Sequence, residues 1–343
     1  MDTVVVPSKS IHDLIAALVA DKSQSVVGVV HKGSRFAYEA LDSADQACLD
    51  YDETILPPKK YLLPVNDIVL TYKTGDQSSV REVHDHSNRV IVGVHPADLA
   101  AIALLDKVHF AGNIDTHYAT RRSHTKLVGI YPTRAYYHRF SSSMIEDQAY
   151  SAADLMLVDL DNGTFAVEIV TPAGTQLLWA TKTSPATADD LRLVEARKHA
   201  VHDQVSVSTP VRELPKLLAG REKDRVFELR AQKCFSCGSC VLVCPTCYCF
   251  DVKDEVDLSL AEGTRVRTWD GCTLNGFAEV AGSHNFRKTP ADRLRHRIFR
   301  KGKYLPEKFG MPGCVGCGRC SAACTAGIAS PAEVFNELNG KGA

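Results

Sequence analysis

No stretch of this 343-residue sequence approaches the roughly 20 consecutive apolar residues of a membrane-spanning helix. The opening Met1-Asp2-Thr3-Val4 lacks the basic region and apolar core of an export signal, so a cytoplasmic protein is expected. There is no GxGxxG after a strand and no GxxxxGK[ST], which removes the usual dinucleotide and P-loop readings. Charge of one sign is not in excess: 40 Lys and Arg stand against 41 Asp and Glu. That balance argues against a general nucleic-acid binder. Cysteine is almost missing from the first 233 residues, where Cys48 stands alone. A disulfide-stapled secreted protein would spread its cysteines further along the chain.

The other 11 of the 12 cysteines lie between Cys234 and Cys324. Charge shifts in the same region. From Arg221 onward 19 basic residues face 14 acidic ones, and before it 21 face 27. A division near residue 220 fits both shifts, with Pro210, Pro215 and Gly220 around it. The expected fold class is α+β. A mixed α/β scaffold and partner-docking domain spans 1–220, and an enlarged two-cluster bacterial-ferredoxin-like domain spans 221–343, with an insertion at 250–313.

In the first part, periodicity predicts a helix capped by Ser10 and carrying Ile11, Leu14, Ile15, Leu18 and Val19 on one face. Strands are expected at 26–30, 35–38, 68–73, 89–94 and 127–131, and an irregular covering segment at 52–64. His95-Pro96 breaks the strand at 89–94, and a helix follows over 97–108. Asp161-Asn162-Gly163 predicts a hairpin between 154–159 and 164–170, and 188–200 reads as a helix. Four polar features have a bland and a functional reading. His95 and Asp98 flank a strand-to-helix turn, where ligands often bind, but Asp98 also suits a first helical turn. His117, Arg121, Arg122 and His124 form an anion patch or a solvated face. Ser141-Ser142-Ser143 lacks a GxSxG elbow and reads as a polar loop. Cys48 reads as a small, inert hydrophobe.

The cysteine-rich part is more specific. Cys234-Phe-Ser-Cys237-Gly-Ser-Cys240-Val-Leu-Val-Cys244-Pro245 is repeated as Cys314-Val-Gly-Cys317-Gly-Arg-Cys320-Ser-Ala-Ala-Cys324, with Thr325 in place of the proline. This doubled spacing predicts two [4Fe-4S] clusters. Three cysteines at intervals of three wrap one face of a cube, and Gly238 and Gly318 relieve crowding at equivalent positions. The fourth cysteine leaves on a short helix toward the other cube. The expected ligand sets are therefore Cys234, Cys237, Cys240 and Cys324, and Cys314, Cys317, Cys320 and Cys244. Cys247, Cys249 and Cys272 remain. With a fourth ligand they can hold a third iron–sulfur cluster. His284 is the nearest imidazole in the chain, and Asp270 or an N-terminal side chain is an alternative. The competing reading is a packed shell of thiols around the other two clusters. Between Arg287 and Lys303 eight cations fall within 17 residues, interleaved with Leu294, Ile298 and Phe299. That run reads as a docking helix whose cations partly offset the cluster charge, or as a solvated amphipathic helix.

Several segments together resemble a known family. They are Pro58-Lys-Lys-Tyr-Leu-Leu-Pro64, Gly93-Val-His-Pro-Ala-Asp-Leu99, the stretch Cys234–Val252, Trp269-Asp-Gly-Cys272, Ala281-Gly-Ser-His-Asn-Phe-Arg287 and Cys314–Cys320. The chain resembles the beta, iron–sulfur subunits of cytoplasmic nickel–iron hydrogenases, also called sulfhydrogenases, over almost its whole length. It is also similar to the iron–sulfur subunit of anaerobic sulfite reductase. The resemblance implies a non-catalytic electron-transfer subunit of an NAD(P)-linked oxidoreductase complex. Its partners would be a flavoprotein gamma subunit together with the small and large nickel–iron hydrogenase subunits, with no nucleic acid and no membrane. In such subunits a Cys-Phe-Cys stretch often precedes Thr-Ser-Met. The matching stretch here is Arg139-Phe140-Ser141-Ser142-Ser143-Met144, in which both thiols are absent. Other classes give different observables: a self-contained flavin oxidoreductase would show a flavin band, and an assembly subunit would hold redox-silent clusters.

Overall fold

The computed structural model describes residues 2–145 and 150–340. Its frame is an eight-stranded sheet in the order Ser184–Pro185, Asp2–Pro7, Thr164–Ile169, Leu155–Asp159, Thr125–Ile130, Arg89–Val94, Ser25–Lys32, Arg35–Ala40. The four strands from Leu155–Asp159 to Ser25–Lys32 run parallel. Val90, Ile91, Val92 and Val94 are all buried, as the β-branched run demands of a strand covered on both faces.

The helix Pro96–His109 connects this sheet to the cysteine-rich half. Leu99, Ile102 and Leu105 pack into the sheet core. Ala97, Ala100 and Ala101 pack on Val315 and Cys317 of the second cysteine run. The helix can lie close to the sheet because Gly129 is beneath it; a Cβ there would come within 2.8 Å of Leu99 Cδ1.

The predicted strands, the Asp161–Gly163 hairpin and the long helices are present with shifted ends. The first helix begins at Ser8 and is preceded by Pro7, not capped by Ser10. The cause is tertiary: Asp2–Pro7 is an antiparallel strand against Thr164–Ile169, and Ser8 N donates to Gly163 O at 2.9 Å. That strand carries no period-two alternation, so nothing local announces it.

A second sheet has the order Phe250–Val256, Glu262–Trp269, Asn66–Lys73, Ser79–Glu82. Half of it comes from the insertion and half from the N-terminal part, remote in sequence and paired antiparallel from Thr268↔Asn66 to Glu262↔Lys73, with a register shift between Arg265 and Val266. Arg267 pins the junction, donating to Asp67 at 2.7 Å and to Asp115 at 2.5 Å.

The cysteine-rich half has its own core of Leu294, Ile298, Phe299, Phe227, Phe335 and Leu338. Leu214 and Leu218 from before residue 220, and Phe140 and Met144 from the N-terminal part, are also in it. Among the described residues no helix is long and apolar enough to cross a membrane.

Candidate iron–sulfur centres

The two cysteine runs fold alike. Each makes a tight loop whose third position is left-handed, Ser236 at φ 55° and Gly316 at φ 68°. A glycine follows at φ 78° in Gly238 and 81° in Gly318. That glycine starts a short helix, Ser239–Leu242 in one run and Arg319–Ala322 in the other, and the two helices pack together. Ser236 is a serine where its counterpart is glycine, and Arg293 Nη2 holds its hydroxyl at 2.8 Å. The second loop has no room for a side chain there: a Cβ on Gly316 would lie 2.5 Å from Phe140 O.

Cys234, Cys237 and Cys240 line one cavity, and Cys324 from the other run is the fourth thiol in its wall. Pro290, Leu294, Ile328 and Ala329 close it with apolar groups. Backbone N–H groups point at sulfur: Ser236 N lies 3.4 Å from Cys234 Sγ and Ile328 N 3.5 Å from Cys324 Sγ. Cys314, Cys317, Cys320 and Cys244 are all buried. Burial pushes the Cys314 thiol up to about 12, and the charge of Cys320 and Cys244 adds to the effect. Burial likewise drives Cys317 upward, with Cys244 again among the charges acting on it. Cys324 thus shares a cavity with the thiols of the other run, and the charge of Cys244 is felt by Cys314 and Cys317.

A model of the 4Fe-4S dicluster domain matches residues 233–328. Over 305 residues the chain is 34% identical to sulfhydrogenase 2 subunit beta of Pyrococcus furiosus, covering 88% of this chain and 89% of that one. The chain belongs to the sulfhydrogenase beta-subunit family. It is an iron–sulfur protein of the 4Fe-4S class.

In this member of the sulfhydrogenase beta-subunit family, charge beside the thiols supports an anionic resident. Arg297 is 1% exposed, and its Nε and Nη2 have no hydrogen-bond partner among the described residues. A buried, half-unsatisfied guanidinium costs several kcal/mol unless an anion offsets it. Cys240, Cys320, Cys244 and Cys247 are the groups whose charge keeps it protonated against the desolvation. Lys301 is equally buried and donates to Cys244 Sγ at 3.1 Å, Thr246 Oγ1 at 2.5 Å and Cys247 Sγ at 3.4 Å. Burial alone would lower its pKa, but Cys244 and Cys247 hold it well above the ordinary lysine value. A π-helical turn over Arg300–Tyr304 carries this lysine, and such a turn re-aims side chains at functional sites. Cubane clusters with thiolate ligands are net anions, so these side chains fit the group the family implies.

The basic run has two faces, and part of its charge is turned inward, as the reading with cations beside the clusters expected. Arg293, Arg297 and Lys301 recur every four residues and are buried toward the thiols. Helical periodicity turns this stripe inward, and only the remaining cations of the run are available to solvent.

Cys247, Cys249 and Cys272 come together in one space, with Thr246, Arg297, Arg300 and Lys301 in its wall. Burial raises the Cys272 thiol to about 11. His284 is not among them. It is exposed, sits on the two-residue strand His284–Asn285, and stacks edge-on against Phe286 with centroids 4.7 Å apart. Asp270 does not line that space either; its carboxylate accepts from Gly271 N. The N-terminal side chain that sequence reasoning missed is Lys59. It is buried, donates to Cys247 O at 2.6 Å, and lies 4.2 Å over the Trp269 ring. Its position in the Pro58–Pro64 segment was the available signal.

Most of the N-terminal polar groups have partners within the fold. Asp98 receives Arg319 of the second cysteine run at 2.7 and 2.6 Å, and Glu53 pairs with the same guanidinium. His95 stacks on Tyr51 with centroids 4.0 Å apart. Arg121 pairs with Asp67, Arg122 with Asp106 at 3.1 Å, and His117 contacts Val69 O at 2.8 Å. The Ser141–Ser143 turn is held by Asp203, which accepts from Ser142 N and Oγ at 2.7 Å. Cys48 lies apart, its thiol donating to Asp50 O at 3.2 Å.

Proposed function

We propose that this chain is an electron-transfer subunit that passes electrons between a NAD(P)H-linked flavoprotein and a nickel–iron hydrogenase catalytic module. The observation that carries this reading is the shared cavity of Cys234, Cys237, Cys240 and Cys324, in which both cysteine runs contribute to one site. On this reading those four residues hold one [4Fe-4S] cluster, and Cys314, Cys317, Cys320 and Cys244 hold a second. When bound, each supplies a one-electron couple. The protein side chains set the surroundings. Arg297 and Lys301 place positive charge beside the thiols, and the Arg139–Ser141 stretch covers the second loop against water. Cys247, Cys249 and Cys272, with Lys59 and Lys301 nearby, are the basis for proposing a third iron–sulfur centre. The likeness to a sulfhydrogenase component of Pyrococcus furiosus supports a hydrogenase complex over sulfite reduction. Residues 1–220 would then act as scaffold and docking domain in a cytoplasmic complex.

Separation and recombination test the reading. The isolated chain should accept electrons from dithionite yet fail to reduce NAD(P)+ with H2. Adding a flavoprotein and a nickel–iron module should restore coupled turnover. Nicotinamide-dependent turnover by the chain alone would contradict the relay, and restoration only by a siroheme module would move it to sulfite reduction.

A further inference from the structure

The two cysteine loops are alike in backbone but opposite in surroundings. The second is roofed by the 138–141 segment. Phe140 N donates to Gly316 O at 2.8 Å, and a Cβ on Gly318 would meet His138 O at 2.5 Å. The helix Pro96–His109 closes it from another side through Ala97, Ala100 and Ala101. Cys314, Cys317 and Cys320 are consequently all buried. The first loop is covered at one end, where a Cβ on Gly238 would meet Leu274 Cδ2 at 2.7 Å, but its Phe235 and Cys237 side lies open among the described residues. Cys237 is exposed, and Phe235 between the first two thiols is 75% exposed. A large aromatic side chain left in water beside a cofactor thiol is costly in a free subunit, and aromatic anchors of this kind mark binding surfaces.

The charge around Phe235 has one predominant sign. Lys233 precedes Cys234 and is exposed. The Arg293 side chain donates through Nη2 to Ser236 and through Nη1 to the carbonyls of Arg287 and Lys288, at 2.9 and 2.8 Å. One buried arginine thus fixes the Arg287–Lys288 turn against the loop. Exposed Phe286 adjoins that turn, and Arg287 lies over the Phe277 ring at 5.8 Å. Lys233, Arg287 and Lys288 make no ion pair among the described residues. The nearby acids are fewer. Asp292 is engaged as a helix cap and with Arg295 at 3.1 Å, and Glu279 is exposed on the strand paired with Asn285.

We propose that the loop around Phe235 is the face through which this chain exchanges electrons, and that it docks an acidic redox protein, with Phe235 as apolar anchor and Lys233, Arg287 and Lys288 as its basic rim. The proposal rests on the relay reading and adds to it which cluster faces outward and what chemistry the partner presents. Electron transfer weakens steeply with distance, so an exchange site belongs where a cofactor thiol reaches the surface. Cys237 does so, and the Cys314, Cys317, Cys320 and Cys244 set does not. Complementary charge then speeds encounter and sets orientation.

The test uses the full chain, loaded anaerobically with iron and sulfide, and a plant-type [2Fe–2S] ferredoxin as acidic probe. Dithionite-reduced ferredoxin is mixed in a stopped-flow cell with the oxidised chain. One electron leaves each ferredoxin, which is oxidised, and enters one [4Fe-4S] cluster, which is reduced. Transfer should be fast at low ionic strength and slow as salt screens the contact. The double variant Lys233→Glu with Lys288→Glu should be slower on the order of tenfold at low salt and should converge on the unmodified chain at high salt. Phe235→Ser should be slower at every salt concentration. Lys253→Glu, on the distant insertion hairpin, should be indistinguishable from the unmodified chain. Iron content and visible spectra report whether each variant keeps its clusters, and the Lys233 and Lys288 pair lies outside the ligand set should Phe235→Ser lose them. A chain that dithionite itself cannot reduce overturns the relay reading and this proposal with it. A reducible chain in which the double variant matches the unmodified one overturns the docking face alone. Self-association that is seen by light scattering and abolished by Phe235→Ser would replace the acidic partner with a second copy.

Discussion

Replacing Lys301 with methionine tests whether the buried cations govern the chemistry of the thiol sites. Methionine keeps most of the side-chain volume and removes the charge. Lys301 Nζ is 3.1 Å from Cys244 Sγ and in a fully buried position. Were a cluster held by that thiol, an added electron would be felt by the ammonium over a distance on the order of 6 Å. With an effective dielectric constant of about 20, the attraction lost is about 3 kcal/mol. For a one-electron couple, at 59 mV per tenfold change in equilibrium, that is on the order of 120 mV. The cluster reached by Cys244 should therefore become harder to reduce by about that amount. The other, reached by Cys324, should move much less, because screening grows with distance. Potentiometric titration followed by electron paramagnetic resonance separates the two, and iron analysis confirms that both are present. A shift below about 20 mV at full iron content, or a shift to higher potential, would refute the electrostatic reasoning.

Other consequences are equally measurable. Anaerobically reconstituted protein should bind about eight iron and eight sulfide for two cubanes, and about twelve if Cys247, Cys249 and Cys272 hold a third centre. Cys244→Ala should abolish the signal of the cluster associated with Cys314, Cys317 and Cys320, while Cys324→Ala should abolish the other; loss within each variant's own run would disprove the exchange. Arg319→Leu leaves Asp98 and Glu53 buried without their cation, and denaturant titration should show a loss of about 3–5 kcal/mol. His296 has its pKa lowered to about 4 by burial and by Arg287, Arg300 and Arg295. Because the unfolded chain takes up that proton first, stability should fall as the pH drops from about 6.5 toward 4. His296→Gln should flatten that part of the melting-temperature profile, and an unchanged slope would exclude this residue as the cause.

Much of the site was legible because its information is local. Eight cysteines at repeated spacing describe two equivalent loops, and Gly238 and Gly318 mark the turns that need a left-handed backbone. The place of Cys324 in the cavity of the first run was also anticipated, because the short helix after each loop carries its last cysteine away from that loop. The parallel strands and the hairpin at Asp161–Gly163 were visible for a related reason: their side-chain period and turn residues are written in neighbouring positions.

What remained hidden depended on partners distant in the chain. Nothing near Asn66–Lys73 announces that its neighbour is Glu262–Trp269, because strand pairing over that separation is set by the closed fold and by Arg267 reaching Asp67 and Asp115. The basic run looked like a surface because composition alone does not reveal which side of a helix faces a core. Arg293, Arg297 and Lys301 were turned inward by the packing of Leu294, Ile298 and Phe299 on the same helix. Likewise His284 was near Cys272 in sequence and absent from its space, whereas Lys59, nearly 190 residues from Cys247, reached it. By itself the sequence determined the cofactor class, the paired cysteine loops and most of the strands, since those follow from residue type and short-range geometry. Only the tertiary structure decided which cations neutralise the thiols, which loop is roofed and which is open, because burial and electrostatic environment are properties of surfaces brought together from remote parts of the chain.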